Sequence, residues 1–234
     1  MQTEAEKYLI SLIANLVKRA RSAGQKLKII NLGAAKSTIV EEAVIKEVGA
    51  GLEVFVCDRC DIQDCAVGAP YAQQSFVCPL EDMTPIPDAT YDVAFANFVL
   101  EHVQNPQRAA NEMARIVKPG GELILSLSNP QAPEFILARL TPTRFHQLFR
   151  QEGHDEAYPV KYAYKSLSNL LVVMANAGWK LKEERNLPAT YSYLHRFPVF
   201  GWFSRIYDFS VLKFKLKPLL GHAVMYWQKV DKSL

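Results

Sequence analysis

The stretch that most constrains the fold is residues 89–125, where two apolar runs flank a helical segment. Residues 91–97 have the continuous apolar character of a buried strand. A Lys-Pro-Gly-Gly turn at 118–121 follows the helical segment, and residues 122–127 form a second apolar strand. Strand, helix and strand within about 35 residues make a βαβ crossover, which joins parallel strands. The sequence therefore predicts an α/β fold built on a parallel sheet.

A second strand-turn-helix unit lies near the start of the chain. Residues 28–32 form an apolar run that ends at Gly33, and a turn of mostly small residues, 34–38, leads into the helical segment 39–48. Small side chains at such a turn let the backbone approach a ligand closely. We therefore expect a dinucleotide-type binding corner at the end of this strand.

An acid follows the next predicted strand. Residues 52–57 are apolar, and Asp58 comes directly after them, 25 positions beyond Gly33 (58 − 33 = 25). Near this spacing, an acid after the second strand meets a ribose diol, because a carboxylate accepts hydrogen bonds from both hydroxyls. Asp61 and Asp64 are the alternatives for this contact. The structural alternative for Asp58 is an exposed side chain that caps the next helix.

The run Ala-Lys-Ser-Thr at 35–38 also resembles the tail of a phosphate-binding GxxxxGK[ST] loop. Such a loop needs glycines at the positions that Ile30 and Ala35 hold in this chain. Nucleoside-triphosphate binding is therefore disfavoured.

Four cysteines, Cys57, Cys60, Cys65 and Cys78, lie close together in the sequence. The first two have the CxxC spacing of zinc and redox sites, but the other two do not supply a second pair at similar spacing. We expect these thiols to serve packing in a reduced, intracellular protein. No signal peptide fits the first residues, so the expected location is cytoplasmic.

Three short runs in the 89–125 unit carry a resemblance to a known family. They read Tyr-Asp-Val-Ala at 91–94, Leu-Glu-His-Val at 100–103 and Ala-Arg-Ile-Val-Lys-Pro-Gly-Gly at 114–121. In this order and spacing they resemble the class I S-adenosylmethionine (SAM) dependent methyltransferases, in particular the small-molecule type 11 group. The resemblance implies a Rossmann-like, doubly wound domain with a seven-stranded, mostly parallel sheet, whose last strand is antiparallel beside the sixth.

The resemblance also implies a function, the transfer of a methyl group from SAM to a small-molecule or lipid-like acceptor. The family's binding corner reads as an acid followed by x-Gly-x-Gly-x-Gly. In this chain Asn31 stands at the acid, Gly33 is kept, and Ala35 and Ser37 replace the other two glycines. Because of this departure, the alternative is a catalytically silent protein of the same fold that has an interaction role.

Site residues follow from the same resemblance. The expected cofactor contacts are Asn31, Gly33, Ala35, Asp58, Arg59, Glu81, Asp82, Met83, Asn97 and Phe98. Glu81 or Asp82 is expected at the adenine amine, with Leu80 or Met83 beside the ring. His102 is the candidate general base, because a neutral imidazole takes a proton from a substrate hydroxyl. Positioning or local hydrogen bonding by the Glu101–His102 pair is the alternative.

The 234 residues are expected to form one domain that carries three additions to the sheet. These are an N-terminal amphipathic helix within 1–24, a lid insertion at 131–165 and an aromatic and basic insertion at 188–220. His146, His154 and Tyr158 are acceptor-site candidates in the lid. The second insertion suits an acceptor pocket or a peripheral membrane contact, and its alternative is a small second core.

The charges are nearly balanced, with 27 Lys and Arg against 24 Asp and Glu. Both ends are basic: residues 1–30 carry six basic and two acidic groups, and residues 196–234 carry seven and two. This distribution suits an anionic substrate or membrane surface, or reflects ordinary solvated faces. Nucleic acid is disfavoured because the body between the ends is acidic. The sequence leaves the oligomeric state open.

Overall fold

The computed structural model describes residues 2–49, 55–140, 159–194, 198–214 and 216–230. The strands, in chain order, are β1 Leu27–Leu32, β2 Phe55–Asp61, β3 Ser75–Val77, β4 Tyr91–Asn97, β5 Val117–Ser128, β6 Trp179–Leu187 and β7 His222–Lys229. They form one sheet with the order β3-β2-β1-β4-β5-β7-β6. Strands β1 to β5 run parallel, and β7 runs antiparallel to both β5 and β6. The predicted seven-stranded sheet with its antiparallel last strand is therefore confirmed.

Helices cover the sheet and the ends of its strands. In chain order they are α1 Glu4–Ser22, α2 Ile39–Val48, α3 Pro106–Ile116, α4 Pro133–Leu140, α5 Leu167–Asn176, α6 Thr190–Leu194 and α7 Pro198–Lys213. Short 3-10 turns lie at Leu100–His102 and Lys217–Leu219. Helix α1 begins at a capping box, in which Thr3 and Glu6 exchange hydrogen bonds, so the predicted N-terminal helix has a local cause.

Both faces of the sheet are buried at its central strands, which explains their continuous apolar runs. Alternate residues of a strand point to opposite faces. Ile29 and Phe95 therefore pack with α1 and α2, whereas Ile30 and Ala94 pack in the core that includes residues of α3 and α5.

The same alternation separates the CxxC pair. Cys57 and Cys60 are three residues apart on β2, so they belong to opposite cores. The thiol of Cys60 instead lies 3.4 Å from that of Cys78. Across the described part of the chain, no three His, Cys, Asp or Glu side chains are grouped so that they could hold a metal ion.

The turn at 118–121 lies at the start of β5 and forms an irregularity in its pairing with β4. Gly121 is required there, because a Cβ atom would come within 2.6 Å of the Val117 Cγ1 and 2.9 Å of the Asp92 carbonyl oxygen. At the start of β5, the return strand of the predicted crossover, the backbone at Gly121 therefore lies close to the backbone of β4 at Asp92.

The second strand was predicted to end at residue 57, and this prediction is wrong. In the structure β2 continues through Asp61, because Asp58, Arg59 and Cys60 pair with residues 30–32 of β1. The polar side chains of this segment are typical of a loop, which is why the sequence predicted that the strand ends before them.

Of the predicted lid, residues 141–158 lie outside the described residues, and with them His146, His154 and Tyr158. Helices α6 and α7 lie within the predicted insertion 188–220.

Candidate functional site

The site is built at the carboxyl ends of β1, β2, β4 and β5, where open α/β sheets bind ligands. The chain leaves β1 through Gly33, whose φ of 72° lies in the left-handed region. A Cβ atom at this position would come within 2.4 Å of a Val99 methyl group. The N–H groups of Gly33 and Ala34 both donate to the carbonyl of Cys60, at 2.7 and 3.1 Å, which ties the turn to β2. Glycine is therefore needed at position 33 for both its conformation and its size.

Ala35 also has a positive φ, 45°, where the family's pattern has a glycine. An alanine in the left-handed region costs roughly 1 kcal/mol relative to the right-handed one. The turn keeps the shape that a glycine would take freely, and other contacts must hold it there.

One of these contacts comes from Asp61, the last residue of β2. Its Oδ2 accepts from the Ala35 N–H at 2.8 Å, and its Oδ1 accepts from the Gln63 N–H at 3.2 Å. The Asp61 carboxylate therefore lies at the tip of β2, directly beside the turn that follows β1. The Asp61 side chain is itself buried, at 3% exposure, and the sequence offered Asp61 only as an alternative for the ribose contact.

Asp58, the first candidate for the ribose contact, lies in the middle of β2 and is completely buried. Its Oδ2 accepts from the Tyr91 hydroxyl at 2.8 Å, and its Oδ1 accepts from the Gln74 N–H at 3.0 Å. Burial and this carboxylate raise the pKa of Tyr91. The prediction that Asp58 follows the strand is wrong, because three more residues of β2 separate it from the edge where a ligand would lie.

Arg59 is completely buried and contacts the turn at residues 33–37, which we call the binding turn. One terminal nitrogen of its guanidinium donates to the carbonyls of Ala34, Ala35 and Ser37 at 3.2, 3.2 and 2.8 Å. Its Nε donates to the carbonyl of Cys65 at 2.9 Å. Arg59 therefore holds the binding turn in place, whereas the sequence-based expectation was a direct cofactor contact.

The charge of Arg59 is balanced by Glu41, a completely buried residue in the first turn of α2. Burial raises the pKa of Glu41, and the Arg59 guanidinium and a hydrogen bond from Asn31 oppose that shift. The Asn31 Nδ2 donates to the Glu41 Oε1 at 2.9 Å. An acid at position 31 would place two carboxylates in contact, so the amide at this position matches the buried ion pair.

No signal in the sequence pointed to Glu41 as part of this group. It sits among apolar residues of α2 and reads as one more charged residue of an amphipathic helix. The sequence indicated only that Asn31 stands where the family has an acid.

The end of β4 brings a second set of predicted residues to the same edge. The Ser126 Oγ donates to the Asn97 Oδ1 at 2.6 Å, and the Asn97 Nδ2 donates to Glu6 of α1 at 3.1 Å. Phe98 follows with a φ of 55°, and its N–H donates to Ser126 at 3.1 Å. These contacts place the start of α1 beside the turn that leaves β4.

The loop after β3 separates its three predicted residues. The Glu81 Oε1 accepts from the Gln104 N–H at 2.8 Å, and Asp82 is exposed and accepts from Thr84. Hydrogen bonds from Thr84 lower the pKa of Asp82. Met83 is completely buried in the core, so its side chain does not line the surface of this loop.

Glu101 and His102 lie in the 3-10 turn that follows β4. The Glu101 side chain is buried, and the Ser128 hydroxyl donates to its Oε1 at 3.1 Å. Burial raises the pKa of Glu101 to about 7. The His102 Nδ1 lies 3.3 Å from the carbonyl oxygen of Pro159. Since a carbonyl only accepts, a hydrogen bond here requires a proton on Nδ1.

Four rings lie close together near this turn, and we call them the aromatic wall. They belong to Phe98, Phe135, Tyr162 and His222. The His222 ring lies 4.7 Å from that of Phe98 and 6.0 Å from that of Phe135, which in turn lies 6.2 Å from that of Tyr162. Burial lowers the pKa of His222 to about 3, so this imidazole is neutral and serves as another flat ring. Sequence reasoning missed His222 because nothing in its surroundings marks it.

Comparison with known proteins identifies one matching family model, described as a methyltransferase domain, which covers residues 33–125. Among curated proteins, the ubiquinone biosynthesis O-methyltransferase of Vibrio atlanticus is 26% identical over 135 residues, 56% of this chain and 55% of its own. The demethylmenaquinone methyltransferase of Paenarthrobacter aurescens is 25% identical over 178 residues, 72% of this chain and 68% of its own. The match with the first of these relatives thus spans little more than half of its length.

Solved structures share the fold. The 1,6-didemethyltoxoflavin-N1-methyltransferase of Burkholderia thailandensis, crystallised with 1,6-didemethyltoxoflavin and S-adenosylhomocysteine, superposes with a TM-score of 0.53 at 14% identity. The match covers 97% of this chain and 79% of that protein. The matched family model spans the binding turn, Asp61 and the 3-10 turn that holds His102.

Proposed function

Since this chain belongs to the class I SAM-dependent methyltransferases of the type 11 group, we propose that it transfers a methyl group from SAM to a small-molecule or lipid-like acceptor. The observation that carries the proposal is the carboxylate of Asp61 beside the turn of Gly33 and Ala35. A carboxylate accepts from both hydroxyls of a ribose, and the small residues Gly33, Ala34 and Ala35 allow a ligand to approach the turn closely. The residues present therefore fit the nucleoside part of SAM.

The other predicted contacts divide into two groups. Asn97 and Phe98 lie at the carboxyl end of β4 and are proposed to face the methyl donor, and Glu81 and Asp82 are proposed to face the adenine. The side chains of the other four predicted residues contact the rest of the protein: Asn31 donates to Glu41, Asp58 accepts from Tyr91, Arg59 donates to the carbonyls of the turn, and Met83 packs in the core. We propose that these four residues hold the site in shape and do not contact the cofactor.

When bound, SAM supplies an electrophilic methyl carbon on its sulfonium. The protein's task is then to align the acceptor for in-line displacement and to exclude water. We assign to His102 the proton that an acceptor hydroxyl gives up, because His102 lies in the turn after β4 and a neutral imidazole accepts such a proton. The neighbouring residue Glu101 holds the turn of His102 in place. Its backbone carbonyl accepts from the N–H groups of Lys161 and Tyr162 at 2.7 and 3.0 Å.

The aromatic wall supports a flat, apolar acceptor. Stacked and tilted rings favour an aromatic ligand over a charged chain. Of the two curated relatives, one is named a ubiquinone biosynthesis O-methyltransferase and the other a demethylmenaquinone methyltransferase. We therefore propose a phenolic or quinol-like ring as the acceptor class.

An activity measurement tests the proposal. The purified chain is incubated with SAM and a panel of catechols and hydroquinones with and without alkyl tails, and release of S-adenosylhomocysteine is measured. We expect turnover with at least one phenolic acceptor, and we expect His102→Gln to lower kcat while the affinity for S-adenosylhomocysteine stays within about twofold. Turnover of amine acceptors with none of phenols would contradict the acceptor class.

A catalytically silent role is the second candidate, and the departures at Asn31, Ala35 and Ser37 are the observation that favours it. A silent protein that still binds the cofactor would bind S-adenosylhomocysteine and release none from SAM with any acceptor. Absence of binding as well would leave only an interaction role for the fold.

A further inference from the structure

Helix α7 exposes a row of large apolar side chains to solvent. Trp202, Phe209 and the following Phe214 are 61%, 65% and 68% exposed. The other exposed members of the row are Val199, Phe203, Ile206, Leu212 and Leu216. We call these eight residues the outer face. A contiguous apolar patch of this kind on a protein surface marks an interaction site or a membrane contact.

The opposite side of α7 is attached to the domain, so the outer face has a fixed direction. Ser204, Asp208 and Val211 are buried at a spacing of one helical turn. The Asp208 Oδ2 accepts from the Tyr191 N–H at 2.9 Å, and the Tyr207 hydroxyl donates to the carbonyl of Leu219 at 3.2 Å. These contacts turn the apolar row away from the core.

The exposed charges described between residues 198 and 220 have one sign. Arg205, Lys213 and Lys217 are exposed, and the Arg205 guanidinium lies over the ring of Tyr191 at 4.5 Å. The single acid between residues 198 and 220 is Asp208, which is buried on the other side of the helix. The exposed surface is therefore apolar and cationic, without a competing carboxylate in this segment.

We propose that the outer face of α7 binds the surface of an anionic lipid bilayer. Helices that lie in a membrane interface combine aromatic and aliphatic side chains on one face with Lys and Arg at its margins. The cations complement the negative headgroups of such a surface. In the described part of the chain, no helix is long and apolar enough to cross a membrane.

The position of α7 links this surface to the candidate site. The 3-10 turn after α7 leads to Leu220, whose carbonyl accepts from the Asn129 Nδ2 at 3.0 Å, directly after β5. His222 of the aromatic wall follows two residues later. The outer face and the aromatic wall thus belong to neighbouring parts of the fold. If the proposed function holds, this arrangement suits an acceptor taken from the lipid phase. Membrane binding itself rests on the exposed residues alone and does not require methyl transfer.

Vesicle binding tests the proposal without any activity readout. The full chain is sedimented with vesicles of phosphatidylcholine, or of phosphatidylcholine mixed with phosphatidylglycerol, at low and high salt. We expect binding to the anionic vesicles, weakened by salt, and a loss of about tenfold or more in the double variant Trp202→Ser and Phe203→Ser. Val172→Ser, an exposed apolar residue of α5, is the matched control and should bind as the wild type does.

A second variant keeps the test valid if the double variant fails to fold. Replacing both Arg205 and Lys213 with Gln leaves the apolar row intact and should weaken binding to anionic vesicles only. Equal binding by wild type and both variants would overturn the proposal. So would a dimer in sedimentation velocity that the Trp202 and Phe203 substitutions abolish, because the outer face would then serve two copies of the chain.

Discussion

The backbone N–H of Ala35 donates to the Oδ2 of Asp61 at 2.8 Å, across the carboxyl ends of β1 and β2. This bond joins the turn that lacks two of the family's glycines to the acid at the tip of the next strand. On the other side of the same turn, Arg59 binds three of its carbonyls. The binding turn is therefore held by side chains, where the family's pattern relies on glycine.

Asp58→Ala should destabilise the fold and leave cofactor affinity nearly unchanged. The change removes the acceptor for the Tyr91 hydroxyl and the Gln74 N–H inside the protein, and an unsatisfied buried donor costs about 1–3 kcal/mol. Urea unfolding measures the loss, and titration with S-adenosylhomocysteine at a temperature where the variant is folded measures the affinity. A folded variant of normal stability that no longer binds would return the ribose contact to Asp58.

The buried pair of Glu41 and Arg59 should be strongly coupled. Glu41→Gln leaves an uncompensated buried guanidinium, and breaking such a pair costs about 3–5 kcal/mol. Arg59→Met leaves the carboxylate alone and should cost a similar amount. The double variant should lose less than the sum of the two, as urea unfolding of all four proteins will determine. Additive losses would mean that the two side chains act independently.

Ala35→Gly should stabilise the chain or tighten cofactor binding, since glycine adopts the observed φ of 45° freely. The expected gain is up to about 1 kcal/mol in unfolding free energy, reduced by the greater freedom of glycine in the unfolded chain. Thermal unfolding with and without S-adenosylhomocysteine provides the measurement. A marked fall in affinity with an unchanged melting temperature would show that the Ala35 methyl group itself contacts the ligand.

Glu101 should make the stability of the chain depend on pH. Burial raises its pKa to about 7 in the folded state, above the ordinary value of 4.5. The protonated form is therefore favoured by folding, and its contribution is full below pH 4.5 and is lost as the pH rises through 7. Glu101→Gln should gain stability relative to the wild type between pH 5 and pH 8. Glu134, whose pKa burial also raises to about 7, calls for a parallel Glu134→Gln variant. A difference between wild type and Glu101→Gln that stays constant over this range would exclude an ionising buried Glu101.

The sequence predicted the sheet well because its strands are apolar runs separated by turns, and those features act locally. The three family runs place the crossover and the 3-10 turn of His102. The end of β2 could not be predicted, because Asp58, Arg59 and Asp61 are polar and resemble a loop until their buried partners are known. Those partners, Tyr91, Glu41 and the Ala35 backbone, come from distant parts of the chain.

The distance in sequence between its members also explains why the aromatic wall was not predicted. The aromatic wall joins residues from the start of α4, the segment before α5, the end of β4 and the start of β7. Of the four, only Phe98 was predicted as a site residue, and the antiparallel return of β7 brings His222 beside it. Likewise the spacing of apolar residues in α7 indicates a helix, but the contacts of its other side determine which face is exposed.

Isothermal titration of S-adenosylhomocysteine into the wild-type chain, Asp61→Asn and Asp64→Asn tests the central claim most directly. We predict saturable binding by the wild type, a loss of about tenfold or more in Asp61→Asn, and normal binding by Asp64→Asn, whose side chain is exposed past the strand. Absence of heat with the folded wild type at high protein concentration, or equal affinity in all three proteins, would contradict a cofactor site at the Gly33–Asp61 edge.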